Sequence, residues 1–409
     1  MRISTVTMFD QSVSSMNRQQ GDFMKVGQQI ATGRRVVNPS DDPQAASRAV
    51  GVSQSKALTE QYADSRVSAR NSLSQSESVL NSVSDAITSA KTLMVQASSD
   101  TLSDADRQSV ASELRGIYET VIGQANATDG NGRYLFGGYQ DASPPFQRNG
   151  DGTVDYVGDA NTREQRIDAS RLMPVADNGE KIFQSVASGA GYLAEAAPGN
   201  AGNVTFSGPR IGDPADPGYG DTYTLTFGGD ADNPTYSIEG VAADGTVTNV
   251  ANDEPYTPGQ SLSFGGITLT LAGDPEAGDE LTIGQAEQMN TDLFKTFEKA
   301  LAVLEEPADT PAKKAALRNT LNTSMRELDN GLDNVLTTRA SVGARLNELD
   351  VVDAVGGNRM LNYEQTLSDL IDLDYAEAIS EYSLRQVGLQ ASQRAFVDIK
   401  GMSLFDYLR

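Results

Sequence analysis

Cysteine, histidine and tryptophan are absent from this chain. Without thiols it has no disulfide framework and no thiolate nucleophile. Without imidazole it has no Cys/His zinc site, no histidine general base and no Ser-His-Asp triad. Bases are scarce too: 32 Lys and Arg stand against 56 Asp and Glu, a net charge of −24. A surface this acidic does not grip nucleic acid or anionic lipid over a broad area. Aromatic residues are 6% and all hydrophobic residues 38% of the chain, a supply suited to narrow helical seams rather than one large core. No apolar run of about seven residues opens the chain, so no cleavable secretory signal is expected, and none approaches the roughly 18 that span a bilayer. The 409 residues are enough for roughly two to four domains.

What is present is periodicity. Phe9, Met16, Phe23 and Ile30 sit seven apart, with Val6 and Val13 close to the same stripe. Tyr375, Tyr382, Leu389 and Phe396 repeat the spacing late in the chain, beside Ile371, Ala378 and Ile399. A seven-residue repeat keeps one edge of a helix facing a partner, so residues 1–35 and 365–409 are predicted to be helices with one seam each. Gln20, Arg385 and Gln386 interrupt these seams, and a lone helix with a narrow seam is marginal in water. Joining the two ends within one chain means closing a loop of about 340 residues, which is costly. These two ends therefore need partners, and their eight seam residues are the candidate assembly interface.

The inner flanks carry the same signal. Leu73, Leu80, Ile87 and Met94 form one heptad position, and Tyr62, Ala69, Val83, Ala90 and Ala97 the other, with Ser76 between them. Ser103 before Asp104 and Asp106 predicts a helix N-cap with acids in the first turn, followed by Val110, Leu114, Ile117 and Val121. Thr310-Pro311 predicts another start, with proline at the first helical position. From there Leu321, Leu328, Val335, Val342 and Leu349 recur every seven residues, and Gly356-Gly357 marks a helix end or hinge. These helices can pack on one another as a bundle without any role in assembly.

The middle is chemically different. Residues 189–285 hold 18 of the 38 glycines, 8 of the 15 prolines and 14 acids against the single base Arg210. Tyr223, Leu225 and Phe227 alternate with threonines, as do Ile267, Leu269 and Leu271, which is strand patterning. A faint repeat sets Gly220-Asp221 before Tyr223-Thr-Leu225 and Gly278-Asp279 before Leu281-Thr-Ile283. Residues 130–185 are expected to form hairpins, with Asn149-Gly150 and Asp151-Gly152 as turns. Asp41-Asp42 is expected to cap a helix rather than act as an acid/base pair. Asn149 to Asp155 lacks the sixth-position glycine and closing glutamate of a calcium loop. The Phe-Gly-Gly triplets at 136–138, 227–229 and 264–266 lack the Lys-Ser/Thr of a phosphate loop and are expected to be strand-end turns.

Three local motifs give a resemblance. Met1-Arg2-Ile3-Ser4-Thr5 precedes Ala31-Thr32-Gly33 and Asn38-Pro39-Ser40-Asp41-Asp42-Pro43. Arg133-Tyr134-Leu135-Phe136-Gly137-Gly138 precedes Pro145-Phe146, and the last stretch contains Met402-Ser403-Leu404-Phe405-Asp406-Tyr407-Leu408. With the nested layout, these motifs resemble the flagellin superfamily of bacterial axial proteins, and within it the hook-associated junction subunits. The resemblance covers roughly residues 1–185 and 286–409. It implies a non-enzymatic structural protein without cofactors or metals, exported without a cleavable signal to the extracellular flagellum by the type III apparatus. The partners it implies are copies of the chain in a ring or helical layer, a neighbouring hook-associated junction protein, flagellin and a cytoplasmic export chaperone. No nucleic acid and no membrane insertion are expected.

The expected fold is mainly α with an inserted β domain: a long helical rod or coiled coil built from both chain ends around a β-rich middle. The expected division is residues 1–45 with 360–409 as a terminal coiled-coil assembly domain, 46–188 with 286–359 as a helical rod with β-hairpins, and 189–285 as an acidic β-rich insert that folds alone and is dispensable for assembly. The competing readings are a flagellin-type filament subunit, or a carbohydrate-binding module carried on a flagellin-like rod. A zinc protease insert would need a His-Glu-x-x-His helix, which a chain without histidine lacks.

Overall fold

The computed structural model describes residues 5–99, 102–187 and 189–401. The motif residues 1–4 and 402–408, and the side chains of Val6 and Ile399, therefore lie outside the described parts. In chain order the elements are α1 (Thr5–Thr32), α2 (Pro43–Ala97) and α3 (Asp104–Ala125), then β1 (Phe146–Arg148), β2 (Val154–Tyr156), β3 (Glu164–Asp168), β4 (Arg171–Pro174) and the short α4 (Gly179–Phe183). The middle holds β5 (Tyr192–Ala196), β6 (Thr205–Ile211), β7 (Thr222–Asp230), β8 (Asn233–Val241), β9 (Val247–Pro255), β10 (Ser261–Phe264), β11 (Ile267–Ala272) and β12 (Glu280–Gln285). Helices α5 (Leu293–Glu305), α6 (Pro311–Ile371) and α7 (Tyr375–Gly401) follow. The chain divides into two compact units, residues 1–64 with 351–409 and residues 65–350.

In the unit of residues 65–350 the heptads become a core. Leu73, Leu80, Ile87 and Met94 are fully buried, as are Leu321, Leu328, Val335, Val342 and Leu349. Leu80, Ile87, Met94, Leu321, Leu328 and Val335 share one cluster with Val110, Leu114 and Val121 of α3 and Phe294, Phe297 and Leu301 of α5. Each such side chain contributes about 1.5–3 kcal/mol on leaving water. Glu77–Arg339 at 2.8 Å and Lys91–Asp329 at 2.5 Å fix α2 and α6 antiparallel. The polar heptad residue Ser76 is buried without cost, because its hydroxyl donates to the Ser72 carbonyl at 3.0 Å. Phe136, Phe146, Phe183 and Phe294 form an aromatic knot beside this core, with centroids 5.0–5.9 Å apart.

The helix starts follow the sequence. Ser103 and Asp106 form a reciprocal capping box at α3. Thr310 Oγ1 accepts from the Lys313 amide at 3.2 Å at the head of α6, where Pro311 is the first helical residue. One expectation fails: Gly356-Gly357 neither ends nor hinges the helix, because α6 runs through both to Ile371. Glycine costs a helix up to about 1 kcal/mol relative to alanine, which weakens but does not break it. Gly356 is buried and Gly357 exposed.

The β region is antiparallel throughout. Its larger sheet has the order β5-β12-β7-β8-β9 and its smaller one β10-β11-β6. The faint repeat has a physical meaning, because its two copies are adjacent strands: Leu281 pairs with Leu225 and Ile283 with Tyr223. The apolar faces of both sheets close over a second core containing Tyr223, Leu225, Phe227, Leu269, Leu271, Leu281 and Ile283. The third residue of each Phe-Gly-Gly triplet, Gly138, Gly229 and Gly266, has positive φ, the turn geometry for which glycine is suited. The 149–155 stretch is a hairpin turn whose Asp151 carboxylate accepts the Thr153 amide and hydroxyl.

The insert is stitched to α6. Asn319 accepts from the Phe206 amide at 3.2 Å and donates to the Val204 carbonyl at 2.8 Å. Thr323 donates to the Ala194 carbonyl at 2.6 Å, and Arg326 to that of Pro209 at 3.2 Å. Composition marks the insert at residues 189–285, yet its backbone is satisfied by helical side chains of the same compact unit.

Candidate assembly interface

The unit of residues 1–64 with 351–409 contains α1, α7, the first part of α2 and the last part of α6. α1 ends at Gly33, whose φ of +69° suits glycine, and the Tyr375 hydroxyl lies 2.9 Å from where a Cβ would stand. Any larger residue there is both strained and crowded. In the turn that follows, Asp41 accepts from the amides of Asn38 at 2.8 Å and Val37 at 3.2 Å, and pairs with Lys25 at 3.0 Å. Asp42 caps α2 by accepting the Ala45 amide at 3.0 Å, with Pro43 first in the helix. The Asn38 backbone bond holds the Asp41 carboxyl below the usual range, and the Ala45 bond does the same for Asp42. Both carboxylates are spent on structure, as the sequence predicts.

The two connections meet. The Arg35 amide donates to the Ile371 carbonyl at 2.8 Å, and the Leu373 amide to that of Gly33 at 3.1 Å. The Arg35 guanidinium donates to the Leu370 carbonyl at 2.6 Å, and Lys56 of α2 pairs with Glu364 of α6 at 3.0 Å. The end of α1 and the start of α7 are thereby brought side by side. The loop to be closed is then a few residues rather than the whole chain, which removes the entropic objection to an intrachain pair.

α1 and α7 accordingly pack antiparallel in the same chain. Phe9 faces Phe396 at a centroid distance of 5.2 Å, Phe23 faces Tyr382 at 4.6 Å, and Asp22 pairs with Arg385 at 2.9 Å. Gln19 lies against Gly388, where an added Cβ would stand 3.0 Å from it. Met16, Phe23, Ile30, Tyr382, Leu389 and Phe396 are half-buried, while Phe9 and Tyr375 remain exposed. The residues proposed to meet neighbours thus meet each other first. The best-buried contacts are Val26 and Ala378, at 5% and 4% exposure. Val26 falls three residues after Phe23, the second position of the heptad, and is the signal the seven-residue count passed over.

α7 carries a second apolar edge. At 100° per residue Leu384, Val387 and Ala391 lie opposite Tyr382. Leu384 is 71% and Val387 64% exposed. Spacings of three and four residues identify this stripe as well, but it lies outside the heptad of the seam.

A helical pair made from both ends of a chain, next in sequence to longer helices that flank a β-rich middle, fits the flagellin class of bacterial axial proteins. Residues 3–141 match the bacterial flagellin N-terminal helical region. Within that class the chain belongs to the flagellar hook-associated protein 3 family. It is similar to flagellar hook-associated protein 3 of Escherichia coli (strain K12), with 35% identity over 99% of each chain. It is 32% identical to the protein of that name from Salmonella typhimurium over the full length of both. The crystal structure of the flagellar junction protein FlgL from Legionella pneumophila superposes with a TM-score of 0.66 at 25% identity, covering 80% of this chain and all of that one. The resemblance expected from the sequence motifs holds, and the chain is a structural component of the flagellum. Among the described residues no helix is long and apolar enough to cross a membrane.

Proposed function

We propose that this chain is the adaptor between the hook side of the flagellum and the flagellin filament, and that it polymerises through α1 and α7. The observation that carries this reading is the division of labour on α7. Its Tyr382–Leu389–Phe396 edge faces α1 of the same chain, and its Leu384–Val387 edge has no cover. Bare apolar edges of this kind mark sites of association. In the proposed assembly the seam of Phe9, Met16, Phe23, Ile30, Tyr375, Tyr382, Leu389 and Phe396 sets the geometry of the helical pair, and the bare edge meets the next copy in a ring or helical layer. The other partners are an adjoining hook-associated protein, flagellin and an export chaperone, and the site of action is extracellular. Deleting the gene and imaging the cells tests the role: hooks without filaments, with flagellin lost to the medium, are expected. Filaments of normal length and number would overturn it.

A further inference from the structure

A cleft of about 330 Å³ opens between the β5–β6 connection and helices α5 and α6. That is within the size range of sites for small organic molecules. Its walls are hollowed by small side chains: Ala196, Ala197, Ala302, Ala312, Ala315 and Ala316.

The polar groups around it divide into spent and unspent. Asn200 exchanges two hydrogen bonds with the Glu280 backbone, and Asp279 accepts the amides of Ala201, Gly202 and Glu276. Asn319 and Thr323 are engaged with the insert backbone. Lys299 is shared by Glu195 at 2.5 Å and Glu327 at 3.6 Å. Two groups remain. Ser324 lines the cleft, is 1% exposed and has an Oγ without a hydrogen-bond partner, although a helical serine ordinarily uses the carbonyl four residues back. Glu306 is exposed at the rim and makes no ion pair among the described residues. With Glu195 and Asp279, it leaves the lining with three carboxylates against one ammonium.

We propose that this cleft binds a small aliphatic ammonium compound, its hydrocarbon body against the alanine walls and its charge toward Glu306 at the rim. Burial of a serine hydroxyl without a partner is unfavourable in a finished core, so the hollow around Ser324 favours an occupant over emptiness. An acidic lining favours a cation over a neutral or anionic compound of equal shape.

Saturation-transfer NMR on the full chain tests this with cyclohexylmethylamine, cyclohexylmethanol and cyclohexanecarboxylate at matched ionic strength. The amine should bind saturably, the alcohol roughly tenfold or more weakly, and the carboxylate not at all. Ala302→Phe, at an exposed position of α5 on the cleft wall, should abolish amine binding, and Glu306→Gln should weaken it several-fold. If Ala302→Phe lowers the melting temperature, Ala316→Phe on α6 serves in its place. Equal binding of all three probes, no saturable binding of the amine, or amine binding unchanged by the filling variants would each overturn the proposal.

Discussion

Glu327 is the residue where burial and charge are most at odds. It is 4% exposed on α6, with Oε2 accepting from Thr296 at 2.8 Å and Asn290 at 3.0 Å, and Lys299 is 3.6 Å from Oε1. Burial pushes its carboxyl above the usual value, and Lys299 and the two hydrogen bonds only partly oppose this. A carboxyl whose folded value is raised favours the folded state most when it is protonated. Its contribution is fully present below the unfolded value of 4.5 and is lost as pH rises through the folded value. Glu327→Gln keeps a neutral hydrogen-bonding group and removes that titration. Melting temperatures measured from pH 4 upward should fall less steeply for the variant than for the parent chain, and Lys299 should keep its bond to Glu195. A parallel pair of curves would show that Glu327 does not titrate in this window. Nothing in the sequence pointed to Glu327, because a lone glutamate in a helix resembles any solvated one until Asn290 and Thr296 are placed beside it.

At the scale of the element, α6 and α7 give opposite lessons. Gly356-Gly357 in the sequence predicts a break, and the helix is unbroken. Gly357 is exposed and an added Cβ there meets nothing within 4 Å. Gly357→Ala should therefore stabilise the chain by up to about 1 kcal/mol in a denaturant titration; destabilisation would mean that a hinge is used after all. For α7, Leu389 is half-buried on the seam and Leu384 is on the bare edge. Leu389→Asp should cost about 1–3 kcal/mol in pairing and speed protease trimming of α1 and α7, with the melt of residues 65–350 unchanged. Leu384→Asp should leave trimming as in the parent and abolish polymerisation. Gln386→Asp, a polar-for-polar change at an exposed position of the seam, is the tolerated control, and normal polymerisation of Leu384→Asp would sink the bare-edge interface. The heptads of α2 and α6 were legible because every seventh residue is fully buried, so one period carries the whole signal. The partner of the α1 seam was not legible, because a seven-residue repeat reports that an edge is covered and not by what. The partner is fixed where the Arg35–Ile371 and Gly33–Leu373 hydrogen bonds join residues remote in sequence.

At the scale of the whole molecule, the insert is distinct in composition and continuous in bonding. Replacing residues 189–285 by a Gly/Ser linker removes the hydrogen bonds that Asn319 and Thr323 make to the insert backbone, at about 0.5–1.5 kcal/mol each. Such a deletion should lower the melting temperature of the remaining chain. If the deletion melts like the parent, the stitches to α6 contribute nothing net. The pairing of Phe9 with Phe396 has a consequence for the order in which the molecule becomes complete. A chain made from its N-terminus onward has α1 long before α7 exists, so that seam stays uncovered through nearly all of synthesis. Contacts of such long separation in sequence form late in folding. The helical pair therefore reports how far synthesis has gone: a chain truncated anywhere before Tyr375 keeps an uncovered α1, and one that extends through Phe396 can sheathe it.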